Sequence, residues 1–177
     1  MSTEYVLIHD EPSSARILFE KQEIAKLRNL EKGLFKLSDR NQEWLLSSRV
    51  DGEIRPFSMV VLRTDGVDLN EEIVLKIKDH IFMHNGYFYM LGGIPEGRTP
   101  RHHLMGSKHI CRLTNFPFSH PDQIDAETKN RLKKHRGVSV GEIFGLGSRG
   151  FHVKLEDEVC AIGLPLAACA YLIYSSI

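Results

Sequence analysis

The sequence predicts an α+β fold, with a mostly antiparallel sheet, helices packed on it and a single domain over residues 1–177. Amphipathic helix patterns stand at the edges of a run of hairpin signals, and strands do not alternate with helices as they do in βα units. The chain has 177 residues, of which 42% are hydrophobic. This content allows one buried core and excludes a disordered chain, in which burial could not offset chain entropy.

The clearest helix pattern covers residues 13–32. Ser13 or Ser14 can cap its start and Gly33 can end it. Its apolar residues are spaced to form one broad stripe: Ile17, Leu18, Ile24, Ala25, Leu27 and Leu30. Cap, stripe and terminal glycine together predict an amphipathic helix.

Three weaker helix signals follow. A short helix is expected around Trp44 and Leu45, both facing inward, and a longer one over residues 121–136. Basic side chains at the end of the longer segment would complement the helix dipole. A further helical turn is expected within residues 138–146.

Turn dipeptides predict the hairpins. Asp51-Gly52 and Asn85-Gly86 each suit a turn with positive φ at both central positions. A third hairpin would join residues 101–105 and 109–114. Residues 57–62 would form the returning strand of the first hairpin, and another strand is expected over residues 151–155. Residues 68–78 fit a helix or a strand, and the apolar segment 163–177 fits a buried strand or helix.

The charge and the cysteine content of the chain limit the class of partner and the cellular compartment that we expect. With 23 basic and 23 acidic residues, the formal net charge is zero, which excludes a surface coated with positive charge but not a local anion site. The three cysteines have no paired spacing, which favours a reducing compartment. No secretory signal is evident, and segment 163–177 is shorter than the roughly 20 residues of a membrane-spanning helix. A cytoplasmic protein without membrane contact is therefore expected.

Six of the nine histidines fall within residues 80–120. On a strand, His109 and Cys111 would share a face, and His103 could join them from a partner strand. No ligand pair has the spacing of a recognised zinc motif, so neither a metal nor another cofactor is expected, and solvated or hydrogen-bonded histidines are the simpler interpretation.

Arginines in the middle of the chain are candidates for binding an anion. Arg98 and Arg101 flank a loop rich in glycine and proline, and Arg112 lies on a predicted strand. A guanidinium group that points into a core needs an anionic partner, because an unpaired buried charge costs several kcal/mol. If Arg112 faces inward, a small-molecule carboxylate is the economical partner, and if it faces outward it is an ordinary strand residue.

The stretch from Arg112 to Phe144 resembles chorismate pyruvate-lyases and their ligand-binding relatives in bacterial transcription regulators. It reads RLTNFPFSHPDQIDAETKNRLKKHRGVSVGEIF. Phe116-Pro117 is similar to the family's proline-containing turn, residues 122–135 to the following helix, and residues 140–144 to a glycine-containing signature.

The resemblance implies a six-stranded antiparallel sheet that encloses a ligand pocket, and elimination of pyruvate from chorismate to give 4-hydroxybenzoate without a cofactor. It implies that Arg101 or Arg112 holds a carboxylate and that Ile143 lines the pocket. The family's glutamate on the last strand has no counterpart in the apolar segment 163–177. Glu142 is then the candidate for acid/base work.

The leading hypothesis is a protein with a small-molecule pocket that binds or processes an aromatic or cyclic carboxylate, as a carbon-oxygen lyase if it is an enzyme. Arg112 and Glu142 are the candidate catalytic residues, and Arg101, Arg112 and Ile143 the candidate substrate-binding residues. The alternative is a nucleic-acid or protein interaction module that uses the basic segment 129–136.

Overall fold

A computed structural model describes residues 2–11, 14–55, 57–64, 71–92, 107–113, 126–127, 138–145 and 150–175. Strands dominate these ranges: β1 (Ser2–Glu11), β2 (Ser14–Phe19), β3 (Gln22–Glu31), β4 (Leu34–Ser38), β5 (Glu43–Ser47), β6 (Arg49–Val50), β7 (Glu53–Ile54), β8 (Met59–Thr64), β9 (Glu71–Ile77), β10 (Ile81–His84), β11 (Tyr87–Leu91), β12 (Ser107–Leu113), β13 (Val138–Gly145) and β14 (Gly150–Glu156). A 3-10 helix (Asp157–Ile162) and an α-helix, α1 (Gly163–Ser175), follow.

Twelve of the strands in the described ranges form one antiparallel sheet, in the order β10-β11-β12-β13-β14-β1-β2-β3-β4-β5-β8-β9. The outermost strands, β9 and β10, are consecutive in the chain. Residues 78–80 join them, and Lys78 and Ile81 exchange two backbone hydrogen bonds of 2.9 and 3.0 Å. A sheet whose two edges are joined by so short a connection must curl round on itself. Strands β6 and β7 form a separate hairpin.

The curled sheet encloses helix α1. All residues from Leu166 to Tyr171 are at most 6% exposed. Because an α-helix turns once every 3.6 residues, this run buries every side of the helix. One hydrophobic cluster unites these residues with inward side chains of the sheet, such as Leu7, Leu46 and Val153. The interior is thus a packed core of helix and strands.

The 3-10 helix and helix α1 together have the length and composition of a membrane-spanning segment. Residues 157–174 form an 18-residue window of mean hydropathy 1.4, of which 61% is buried inside the protein. The core helix of a soluble protein has the same properties, and the sheet supplies the apolar surroundings of this one.

The predicted helix over residues 13–32 is wrong, because this segment is the hairpin β2–β3. Its turn is Glu20-Lys21, with φ of 49° and 66°. Buried residues alternate along both strands, at Ala15 and Ile17 and at Ala25 and Leu27. The spacing of the apolar residues fits the two-residue period of a strand as well as the stripe of a helix. Pairing with neighbouring strands of the sheet favours the strands over the helix.

Two other helix predictions are also wrong. The segment around Trp44 is strand β5, and residues 138–145 are strand β13. Trp44 does face inward, at 6% exposure, whereas Leu45 lies on the opposite face and is half-buried. Asp39, which can cap a helix, instead accepts the backbone N–H groups of Asn41 and Gln42 at 2.7 Å and closes the turn between β4 and β5.

The helix predicted over residues 121–136 lies outside the described residues except for positions 126 and 127, which are helical. The basic segment 129–136 therefore lies outside them as well. So does segment 101–105, the first strand of the predicted third hairpin, whereas its second strand is present as β12.

The turns predicted at Asp51-Gly52 and Asn85-Gly86 are confirmed, but the strand that returns directly from the first turn is β7, and the predicted returning strand 57–62 lies mainly in β8, which pairs with β5. Both turns have positive φ at the two central residues, 51° and 81° in the first and 50° and 76° in the second. The predicted strand 151–155 is β14, segment 68–78 contains β9, and the apolar segment 163–177 contains the helix.

The predicted fold class is confirmed in that a large antiparallel sheet is combined with helix. Several packed helices were expected, but the described part of the chain has one α-helix longer than a single turn, α1. The sheet has twelve strands rather than the six that the resemblance implies. Helix α1 also fills the interior where a chorismate-lyase-like fold would hold a ligand.

The enclosure of helix α1 predicts different reactivity for two cysteines. Cys169 is fully buried, and burial raises the pKa of its thiol far above the usual range. Cys160 is half-buried, and its Sγ lies 3.3 Å from the backbone oxygen of Glu156. Under native conditions we expect N-ethylmaleimide to label Cys160 and to leave Cys169 unmodified until a denaturant is added. Peptide mass spectrometry distinguishes the two, and native labelling of Cys169 at the rate of Cys160 would contradict the enclosed helix.

Candidate functional site

A pocket of about 480 Å³ lies where the hairpin β6–β7 meets strands β8 and β9. We call it the cationic pocket, because four basic side chains line it together with two acidic ones. Its lining residues are Arg49, Val50, Asp51, Arg55, Ser58, Val60, Lys76, Ile77, Lys78 and Asp79. Two separate segments of the chain, 49–60 and 76–79, thus build its walls.

The hairpin β6–β7 supplies the two arginines. Its tight Asp51-Gly52 turn sends the chain back so that Arg49, on β6, and Arg55, directly after β7, both line the pocket. Backbone hydrogen bonds of 2.9 Å anchor the base of the hairpin, from Arg55 to Ser48 and from Ser48 to Gly33. This wall of the pocket is therefore tied to the main sheet.

The Arg49 and Arg55 side chains differ in their contacts. Nε of Arg49 donates to the backbone oxygen of Lys32 at 2.9 Å, and its guanidinium lies 3.5 Å from the carboxylate of Glu31. The exposed Arg55 guanidinium has no hydrogen bond or ion pair with any other described residue. Arg55 is therefore the cation of the hairpin with all its donors open to an incoming anion.

Strand β9 and the turn after it supply the two lysines. Leu75 and Ile77 are buried, at 3% and 1% exposure, so the alternation of a strand turns Lys76 and Lys78 to the outer face. Both lysines are half-buried and line the pocket. They form a second cationic wall, on a different element from the arginines.

Ser58 lies at the start of β8 and is 3% exposed, which makes it the one buried polar side chain among the described residues. Its Oγ accepts the backbone N–H of Asp79 at 3.1 Å. The hydroxyl proton has no acceptor among the residues that the structure describes. Because a buried donor without a partner costs free energy, this hydroxyl is suited to donate to a ligand.

The backbone beside Ser58 is strained. Phe57, Asp79 and His80 all have positive φ, of 67°, 48° and 72°. Such values are rare for bulky residues and cost about 1–3 kcal/mol each. The rings of Phe57 and His80 stack with centroids 4.2 Å apart, and the His80 N–H donates to the Phe57 oxygen at 2.9 Å. These contacts hold the strained segment in place at the wall of the pocket.

The lining suits a small organic anion. Among its cations, Arg49 is paired with Glu31, whereas the Arg55 guanidinium has no partner among the described residues, and Val50 and Val60 add apolar surface. Ligand pockets of proteins combine an apolar lining with a few polar groups that fix orientation. The arrangement can therefore bind an anionic group and an apolar body at once.

A second pocket, of about 430 Å³, lies at the start of β2 and is lined by Asp10, Ser14, Ala15, Lys26 and Arg28. Asp10 accepts a 2.7 Å hydrogen bond from Arg16. Alanine is the one apolar lining residue here, and the buried hydroxyl of the cationic pocket has no counterpart. The cationic pocket is the better candidate for an organic ligand, and exposed Arg28 offers a control for exposed Arg55.

Of the site residues predicted from the sequence, the structure describes the side chains of Ile143 and Glu142, and it does not bring these two together. Ile143 is 1% exposed and pairs with Val153 in the core, whereas half-buried Glu142 lies on the opposite face of β13, paired with Lys154. Because consecutive residues of a strand face opposite sides, these two side chains cannot line one pocket. Ile143 packs in the core, and its predicted contact with substrate stays a prediction.

The two predicted arginines lie elsewhere. Arg112 is on β12, at the register position between Tyr89 of β11 and Val138 of β13, and its side chain lies outside the description. Arg101 and the signature turn Phe116-Pro117 lie outside the described residues. The structure therefore leaves their predicted roles as predictions.

The histidine-rich region gives no metal site within the part of the chain that the structure describes. There, no group of three or more histidine, cysteine, aspartate or glutamate side chains could hold a metal ion. The side chains of His109 and Cys111 lie outside the description, as does His103, so their proposed shared site stays a prediction.

Comparison with known proteins yields no family model, curated protein or solved structure that matches this chain. Sequence reasoning missed Arg49, Arg55, Lys76 and Lys78. The available signals were arginines on both sides of the Asp51-Gly52 turn and lysines that alternate with apolar residues at the end of segment 68–78.

Proposed function

We propose that the protein binds a small organic carboxylate with an apolar body in the cationic pocket. The exposed Arg55 guanidinium, beside the apolar residues of the same pocket, is the observation that carries this proposal. A guanidinium presents donors in a planar fork that matches a carboxylate, which makes arginine the preferred residue for such recognition.

The parts of the pocket have complementary tasks. The ligand carboxylate would pair with Arg55, whose position is set by the anchored hairpin. The apolar body would lie against Val50 and Val60, where burial contributes about 25 cal/mol per Å² of apolar surface removed from water. An aromatic or cyclic carboxylate has both features, a carboxylate that can pair with Arg55 and an apolar body that can lie against Val50 and Val60.

Chorismate, which the family resemblance implies as substrate, belongs to this chemical class. Elimination of pyruvate from chorismate is a separate proposal, because its candidate catalytic residues, Arg112 and Glu142, are not among the residues that line the cationic pocket. Incubation with chorismate, followed by detection of 4-hydroxybenzoate and pyruvate, tests that activity separately from binding.

Benzoate is a simple probe for binding, because it joins one carboxylate to an apolar ring. We expect Arg55→Ala to weaken benzoate binding about five- to tenfold, the effect of one charge-assisted hydrogen bond reduced by solvent exposure. Isothermal titration calorimetry at fixed ionic strength measures the change.

The matched control is Arg28→Ala, which removes an exposed arginine from the second pocket. This variant should bind benzoate as the unaltered protein does. Equal losses in both variants would indicate a general effect of charge, and an unaltered protein that binds no carboxylate would refute the proposed function.

A further inference from the structure

We infer that Ser58 selects among ligands of the cationic pocket by donating its hydroxyl hydrogen to an uncharged oxygen on the body of the ligand. The inference rests on the proposed function and narrows its ligand class to carboxylates that also carry a carbonyl, ether or hydroxyl oxygen. Ser58 lines the pocket and is 3% exposed. It is a specificity-determining residue, separate from Arg55, which pairs with the carboxylate.

The hydroxyl group of Ser58 has a hydrogen to offer to a ligand. A serine hydroxyl carries one donor hydrogen and two acceptor lone pairs. The Oγ atom accepts the Asp79 N–H at 3.1 Å, which uses a lone pair, whereas the hydrogen has no acceptor among the residues that the structure describes. A buried donor without an acceptor is unfavourable, and an oxygen of a ligand would satisfy it.

Contacts between two segments of the chain hold Ser58 in place. Besides the hydrogen bond from Asp79 to Ser58, the His80 N–H donates to the Phe57 oxygen at 2.9 Å, and the rings of Phe57 and His80 stack. The positive φ values of Phe57, Asp79 and His80 show that this arrangement is kept at a cost in backbone strain, which is frequent at ligand-binding sites. A hydroxyl group positioned in advance loses little conformational freedom when a ligand binds.

The different exposure of Arg55 and Ser58 separates the charged part of the ligand from the uncharged part. Arg55 is exposed, so a carboxylate that pairs with it keeps part of its hydration. A charged oxygen at the buried Ser58 hydroxyl would lose that hydration, which costs far more free energy than the burial of a neutral oxygen. Val60, two residues after Ser58, lines the same pocket and offers apolar surface to the ligand body. The oxygen that Ser58 binds is therefore an uncharged one on that body.

The test compares acetylbenzoates with isopropenylbenzoates by titration calorimetry of the full chain at fixed ionic strength. In each isopropenyl compound a methylene group replaces the carbonyl oxygen and leaves the shape nearly unchanged. The meta and para isomers of both compounds are used. At least one acetylbenzoate should bind about tenfold more tightly than its isopropenyl counterpart, because that counterpart leaves the buried donor without an acceptor.

Two variants assign this preference to the Ser58 hydroxyl. In Ser58→Ala the ratio of the two affinities should fall to about one. The ratio is a readout that a merely structural role of Ser58 would not move, because the two ligands have the same shape. Thermal unfolding, measured in parallel, shows whether the variant folds. Ser58→Cys, which replaces the hydroxyl by a weak donor of similar shape, gives the readout if Ser58→Ala does not fold.

Ser14→Ala is the matched control, because Ser14 lines the second pocket. This variant should keep the preference for the acetyl compound. If neither acetylbenzoate is preferred by the unaltered protein, or if the preference persists in Ser58→Ala, the inference about Ser58 is wrong and carboxylate binding stands. If neither benzoate nor any of these derivatives binds, the proposed function is wrong, and this inference with it.

Discussion

Replacing Gly150 with alanine is expected to destabilise the protein by about 3 kcal/mol or more, among the largest effects of a single substitution. A Cβ atom at Gly150 would lie 1.8 Å from the backbone oxygen of Leu7 and 2.9 Å from its carbonyl carbon. The obstacle is backbone, so no side chain can rotate away. The φ of 143° adds strain for any residue with a side chain.

The substitution Gly150→Ala would disrupt pairing in the centre of the sheet, because Gly150 lies opposite Ile8 where β14 pairs with β1. Relief of the clash would separate these two strands. Urea unfolding followed by circular dichroism gives the loss of stability.

Gly52→Ala is the matched control. Gly52 also has a positive φ, of 81°, but a Cβ atom there would meet nothing within 4 Å. The substitution should cost only the conformational strain, about 1 kcal/mol. Similar losses for the two alanine variants would contradict the close approach of β14 to Leu7.

Replacing Ala168 with glutamate is expected to prevent folding. Ala168 is fully buried in the middle of helix α1, which the sheet surrounds. The substitution would place a carboxyl group and several extra atoms in a packed apolar core. The free energy of unfolding of a typical domain is only about 5–15 kcal/mol, and an unpaired charge buried in an apolar core costs more than that. Soluble yield and the thermal unfolding transition report the result.

Ala161→Glu tests whether enclosure, rather than the chemical change, causes this loss. Ala161 lies in the 3-10 helix before α1 and is exposed. The same substitution there should change stability by about 0.5 kcal/mol or less. A well-folded Ala168→Glu variant would show that helix α1 leaves the sheet at little cost.

Turn chemistry was the part of the fold that the sequence predicted best. Asp51-Gly52 and Asn85-Gly86 are read correctly because few residue pairs accept positive φ at both positions. Glu20-Lys21 adopts the same backbone with residues that carry no such signal. Without a turn signal, the apolar pattern of β2 and β3 resembles that of one continuous amphipathic helix. This is why a helix was wrongly predicted over residues 13–32.

The candidate site was less predictable, because its walls come from segments whose proximity depends on the pairing of strands. Arg55 lies outside every strand, and Lys76 falls in a segment that fits two periodicities. No local pattern says that the hairpin β6–β7 packs beside β9. The sequence does indicate that a neutral chain can hold a local anion site, and the cationic pocket is a concrete candidate for it.

The position of β1 in the middle of the sheet has a consequence for synthesis on the ribosome. β1 pairs with β14, so that Glu4 and His152, which are 148 positions apart, meet across neighbouring strands. On its β14 side, β1 must therefore wait for a partner that the ribosome makes much later, and helix α1 follows that partner. Until then β2–β9 expose their apolar inner faces, so we expect the nascent chain to depend on chaperones.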